Sequence, residues 1–139
     1  LTQTCLKELS SVLSKECRSA SSVIIASDFP KVFSAGLDLK TLIRSEESES
    51  EFSSRIHDYI GLFQETCAIL LSCPAPTAAV ISGACPAGGT VLSLCCDARV
   101  LATDFNFFMG LNEVAVGMAP PLWVHTLARL VLFPINTRH

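Results

Sequence analysis

The 139-residue sequence carries little charge. Only 17% of its residues are Asp, Glu, Lys or Arg, against about 25% in an average soluble domain. The formal net charge is −3 and the basic residues form no stripe, so the electrostatic footprint of a nucleic-acid-binding protein is missing. From Cys67 to Cys96 there is no charged residue at all. Such a run is long enough to raise the question of a membrane span. Pro74, Pro76, Gly83, Pro86, Gly88 and Gly89 cut it into pieces of strand or short-helix length, so no span is expected. No basic flank with an apolar stretch, the mark of a secretory leader, is visible from Leu1 onward. The seven cysteines are odd in number and form no paired CxxC motif. They are expected to be reduced, mostly buried thiols of an intracellular protein, with no metal site. A G-x-S-x-G elbow, a P-loop and a GxGxxG fingerprint are all lacking, so a serine hydrolase, a nucleotide hydrolase and a dinucleotide-binding enzyme have no local support.

What the chain does have is apolar residues, half of the total, in alternating helix-like and strand-like segments. Residues 2–17 place Cys5, Leu6, Leu9, Val12 and Leu13 at helical spacing. "SSVIIA", residues 21–26, reads as a short buried strand. Residues 45–51, rich in Ser and Glu, read as a solvated, mobile stretch or a helix start. Phe52, Ile56, Tyr59, Ile60, Phe63, Cys67 and Leu70 mark a longer helix over 52–71, ended by residues 73–76. "TAAVIS" (77–82) is a second buried strand, 90–96 a short helix, 98–102 a third strand and 106–109 a fourth. A final helix starts near Pro121, at a position that suits its first turn, and Pro134 is expected to interrupt it. The alternation predicts one α/β domain over 1–139 with mainly parallel pairing and no internal repeat.

Two turns stand out. "VFSAGLDLK" (32–40) and "GACPAGG" (83–89) each follow a strand and offer small residues and glycine ahead of a helical stretch. Unpaired backbone N–H groups at such places, one from each turn, can converge on a single oxygen and stabilise an enolate. The same pattern is equally that of two plain strand-to-helix turns. An enolate also needs a base, and "GLNEVAVGMAPP" (110–121) supplies Glu113 among Leu111, Val114, Val116 and Met118, which are expected to desolvate it and raise its pKa. The alternative for Glu113 is an ordinary surface loop. His57 and His125 fall within helical patterns and read as structural or exposed.

These three segments, in this order and spacing, resemble the crotonase (enoyl-CoA hydratase/isomerase) superfamily, and most of all its mitochondrial-type delta(3)-delta(2)-enoyl-CoA isomerase branch. The resemblance runs from Ser21 to Trp123. It implies a crotonase-like spiral of ββα units, here a partial domain without the family's opening strand and C-terminal helices. It implies that the N–H groups of Leu37 and Gly88 form the oxyanion hole for a thioester oxygen and that Glu113 is the catalytic base and acid. Ala35, Gly36, Leu37, Asp38 and Leu39 would line the acyl-CoA channel together with Gly88, and Asn112 would touch substrate. Hydratases of the family carry a second acid where this chain has Val91, so the resemblance favours isomerisation of a 3-enoyl-CoA to the trans-2-enoyl-CoA in fatty-acid β-oxidation. A hydratase or thioesterase reaction, and a catalytically impaired acyl-CoA-binding fragment, remain as alternatives. The resemblance further implies no cofactor beyond the coenzyme A of the substrate, no metal, a homo-oligomer (a trimer in the family), and a mitochondrial matrix location, with the peroxisome as the alternative.

Overall fold

A computed structural model of the chain describes residues 1–103 and 106–133. Helix α1 (Gln3–Glu16) starts where the Thr2 side chain accepts the Cys5 N–H, and it ends at Cys17. Of its apolar stripe, Leu6 and Leu13 are buried, while Cys5 and Val12 face outward. Strand β1 (Val23–Ile25) follows. Helix α2 (Leu39–Leu42), a single turn that the sequence pattern did not reveal, is capped by Asp38. Helix α3 (Glu49–Leu71) begins three residues before Phe52 because Ser48 and Glu51 form a reciprocal capping box. The Ser/Glu-rich stretch is therefore built structure: its Glu47 carboxylate is held by Arg55, which also donates to the Thr41 and Ile43 carbonyls. That guanidinium keeps Glu47 below the ordinary carboxylate range.

Strands β2 (Thr77–Ile81) and β4 (Ala98–Leu101) complete a three-stranded sheet in the order β1-β2-β4, all parallel, as expected. Strand β3 (Cys85–Pro86), helix α4 (Gly88–Leu94), strand β5 (Met109–Gly110), a 3-10 turn (Glu113–Val116) and helix α5 (Leu122–Leu132) make up the rest. Strands β3 and β5 pair with each other, again in parallel. The expected fourth strand is thus only Met109–Gly110, paired with the short β3. The expected interruption at Pro134 lies outside the described residues.

One expectation fails at β1. The register puts Val23, Ile25, Thr77, Ala79 and Ile81 on the inner face and Ile24, Ala78, Val80 and Val100 on the other. Ile24 is 67% exposed, so "SSVIIA" is a half-buried edge strand rather than a buried one. An apolar run of this length does not distinguish the two cases. The Asp97 carboxylate ties the start of β2, accepting the Thr77 N–H at 2.7 Å and the Thr77 hydroxyl at 2.8 Å. Those bonds depress its pKa, so their contribution is present above the usual Asp range and is lost as pH falls through the lowered value.

The core lies where α1 packs on α3 and where α4, buried along its whole length, meets the inner face of the sheet and α5. Cys17, Cys67, Cys85, Cys95 and Cys96 are buried in it, Cys73 is half-buried, and Cys5 is exposed; all seven are free thiols. Among the described residues, no helix is long and apolar enough to cross a membrane.

Candidate active site

The two glycine turns meet. Residues 31–34 run alongside Ala84, with Phe33 and Ser34 N–H groups donating to the Ala84 carbonyl at 2.9 and 3.1 Å, and the Ala84 N–H donating to the Lys31 carbonyl at 2.9 Å. Beyond this crossing, Gly36 adopts a left-handed conformation (φ +83°), which turns the chain so that Leu37 lies against Gly88. A Cβ on Gly88 would sit 3.2 Å from the Leu37 nitrogen, so any other residue would push the two backbones apart by a few tenths of an ångström. Ala87, just ahead, is the one non-glycine residue with positive φ (46°) among those described. Its N–H donates to the Gly110 carbonyl at 2.8 Å, and its unusual backbone sends the next N–H, that of Gly88, out of the β3–β5 ladder. Among the described residues, neither the Leu37 nor the Gly88 N–H donates to a protein acceptor.

Both turns border a cleft of about 600 Å³. Ala35, Leu37, Leu39, Gly88, Asn112 and Glu113 all line it, so these six of the sequence-derived site residues are brought together. Gly36 and Asp38 do not line it. The Asp38 carboxylate is engaged at α2, accepting the Lys40 N–H at 3.1 Å and the Thr41 hydroxyl at 3.0 Å. The cleft's walls are apolar: Phe52, Ile56, Ile60 and Phe63 from α3, and Trp123 and Val124 from α5. Phe63 and Trp123 meet in a tilted ring contact with centroids 6.1 Å apart.

Glu113 opens the 3-10 turn and is half-buried. Its Oε2 is fully shielded from solvent and has no hydrogen-bond partner. The expected desolvating set is only partly right. Met118 lines the cleft beside it, but Val114 is 76% exposed and faces away, because a tight 3-10 turn rotates consecutive side chains to different sides. The β3–β5 pairing connects this acid to the Gly88 turn. The Thr90 hydroxyl strengthens the link by accepting the Gly110 N–H at 2.9 Å while donating to the Cys85 carbonyl. Val91, 1% exposed, lines the cleft next to Gly88.

Three groups escaped the sequence reading. Thr90 is one. Glu49, at the exposed start of α3, is a second carboxylate lining the cleft. Tyr59, read only as an apolar helix position, is completely buried; its phenol accepts the Asp38 N–H at 2.8 Å and donates to the Leu1 carbonyl. Burial raises its pKa against the opposing pull of the Asp38 N–H, so it keeps its donor proton. A tyrosine on the apolar stripe of a helix was the available signal, since a buried phenol needs a partner. Tyr59→Phe is expected to destabilise the chain by about 0.5–1.5 kcal/mol, because it removes both hydrogen bonds of the phenol and leaves the half-buried Asp38 N–H and Leu1 carbonyl only their long mutual bond of 3.4 Å, at the turn that carries Leu37. Urea denaturation should show a lower midpoint with an unchanged slope.

The family model described as enoyl-CoA hydratase/isomerase matches residues 1–131. The mitochondrial enoyl-CoA delta isomerase 1 of Mus musculus is 36% identical over 126 residues, covering 88% of this chain and 41% of that protein. The mitochondrial methylglutaconyl-CoA hydratase of the same species is 34% identical over 123 residues, covering 86% and 36%. The crystal structure of human mitochondrial delta3-delta2-enoyl-CoA isomerase superposes with a TM-score of 0.83 at 35% identity, over 93% of this chain and 48% of that one. The chain thus spans less than half the length of these relatives. Its α/β architecture is the crotonase fold, and the chain belongs to the enoyl-CoA hydratase/isomerase family.

Proposed function

We propose that the chain forms the catalytic half of an enoyl-CoA isomerase, which moves the double bond of a 3-enoyl-CoA to the 2-position. The observation that carries this reading is the unpartnered, buried Oε2 of Glu113 in the same cleft as the free N–H groups of Leu37 and Gly88. The thioester oxygen sits between the two N–H groups. Glu113 takes a proton from C2, the resulting enolate oxygen draws on both N–H groups, and the protonated acid returns the proton at C4. Ala35 and Leu39 border the entrance for the coenzyme A part, Asn112 flanks the acid, and the Phe63–Trp123 wall receives the acyl chain. No cofactor is needed, since the acid alone carries the proton.

Isomerisation is favoured over hydration by Val91. Hydration requires a second group to orient water next to the oxyanion turn, and a buried valine there cannot do so. Glu49 supports a second reading, hydration, because it brings another carboxylate to the cleft from its exposed rim. Kinship with mitochondrial enzymes supports a place in the mitochondrion, which this reading takes to be the matrix, and the family resemblance carries with it a homo-oligomer, a trimer in the family.

Purified chain incubated with 3-hexenoyl-CoA and 3-dodecenoyl-CoA tests the reading. The expected result is growth of the ultraviolet absorbance of the conjugated thioester, with no 3-hydroxyacyl-CoA. A hydroxyacyl product made from a 2-enoyl-CoA would transfer the assignment to hydration. Tight binding of the thioesters without turnover of either would leave an acyl-CoA-binding unit.

A further inference from the structure

We propose that Cys17 and Cys73 are a modification site: an oxidisable pair that a peroxide converts to a disulfide, stapling the C-terminal end of α1 to that of α3. This inference is independent of the reaction at the cleft.

Cys17 is the C-cap residue of α1, and Cys73 directly follows Ser72, the C-cap of α3. The Cys73 sulfur lies 4.0 Å from the Cys17 carbonyl oxygen, across 56 positions of sequence, and the two thiols are near enough to interact. Helices α1 and α3 pack together through the core, so their ends are held in place rather than brought together by chance. Access distinguishes this pair from the other one. Cys67 and Cys95 also adjoin, but both are sealed in the core, at 2% and 4% exposure. Cys17 is comparably buried, whereas Cys73 is half-buried and open to a small oxidant.

The chemistry balances with hydrogen peroxide as the oxidant. The Cys73 thiolate attacks one peroxide oxygen; an S–O bond forms, the O–O bond breaks, and one water leaves. The Cys17 sulfur then attacks the sulfenic sulfur of Cys73; the S–S bond forms, the S–O bond breaks, and the hydroxide departs as a second water with the Cys17 proton. Two electrons pass from the thiols to the peroxide. Burial, reinforced by the Cys73 thiol, pushes Cys17 up to about 11, which makes the second step slow at neutral pH and faster as pH rises toward that value.

The test treats the purified chain with hydrogen peroxide, blocks remaining thiols, and maps the peptides by mass spectrometry. Two of the seven thiols should disappear together, in a peptide pair joining Cys17 to Cys73 that dithiothreitol reverses. The oxidised chain should melt several degrees higher than the reduced one. Cys73→Ser and Cys17→Ala should each show no cross-link and no peroxide-dependent rise in melting temperature. Over-oxidation of Cys73 without a cross-link, or a bridge from Cys73 to the exposed Cys5, would overturn the proposal. If the buried Cys17→Ala variant does not fold, Cys73→Ser still decides, because its site is half-exposed.

Discussion

Glu113→Gln is expected to lower the isomerase rate by about 10²- to 10⁴-fold, the usual contribution of a positioned acid–base group. The amide keeps the shape and length of the side chain, so the Gly88 turn, the Leu37 turn and the apolar walls are undisturbed and thioester binding should change only a few-fold. Stability should move the other way. The wild-type Oε2 is shielded from solvent with no hydrogen-bond partner, and an unpaired carboxylate there is held at a loss to the fold. Exchanging it for a neutral amide should leave the unfolding midpoint unchanged or raise it slightly. Loss of turnover at undiminished stability separates a group kept for chemistry from one kept for packing. Rates of single turnover and a denaturation curve on the same preparation decide the matter. Full activity in the variant would remove Glu113 from the mechanism.

How much of this site was legible in the sequence follows from where its information lies. The Gly36–Leu37 and Gly88 turns and the acid could be marked because glycine and a lone carboxylate in apolar surroundings are local signals, and the strand–helix alternation gave the parallel sheet. The Ser48–Glu51 capping box was equally local, yet the helix was read from its apolar stripe and so started late, at Phe52. What did not show were contacts made across the chain. Tyr59 reads as one more apolar helix position until the Asp38 N–H is found against its phenol, 21 residues away. Thr90 reads as a helix residue until Gly110 arrives at its hydroxyl, 20 residues away. Strand β3 has two residues and no periodicity to read; pairing with β5 alone defines it.

Gly83→Ala is expected to have the largest effect on folding of any glycine-to-alanine change in the chain. A Cβ at this position would overlap the carbonyl carbon and oxygen of Lys31 and approach the Val32 nitrogen to 2.5 Å. All three are backbone atoms, so no side chain can rotate away to make room. The obstruction falls on the crossing that carries the Lys31–Ala84 and Ala84–Phe33 hydrogen bonds and holds the two glycine turns together. Relief requires the 31–34 segment to lift from residue 84, which breaks those bonds and separates Leu37 from Gly88. A loss of about 3 kcal/mol or more is expected, with a fall in melting temperature of about 10 °C or more. Gly61→Ala is the contrasting case: it adds the same methyl inside α3, where nothing lies within 4 Å of the new carbon. There the gain in helix propensity should stabilise the chain by about 0.5–1 kcal/mol. Opposite shifts from one chemical change locate the strain in the crossing of the two turns; similar small shifts in both would mean that residues 31–34 can part from residue 84 at little cost, and that the two glycine turns are not held by it.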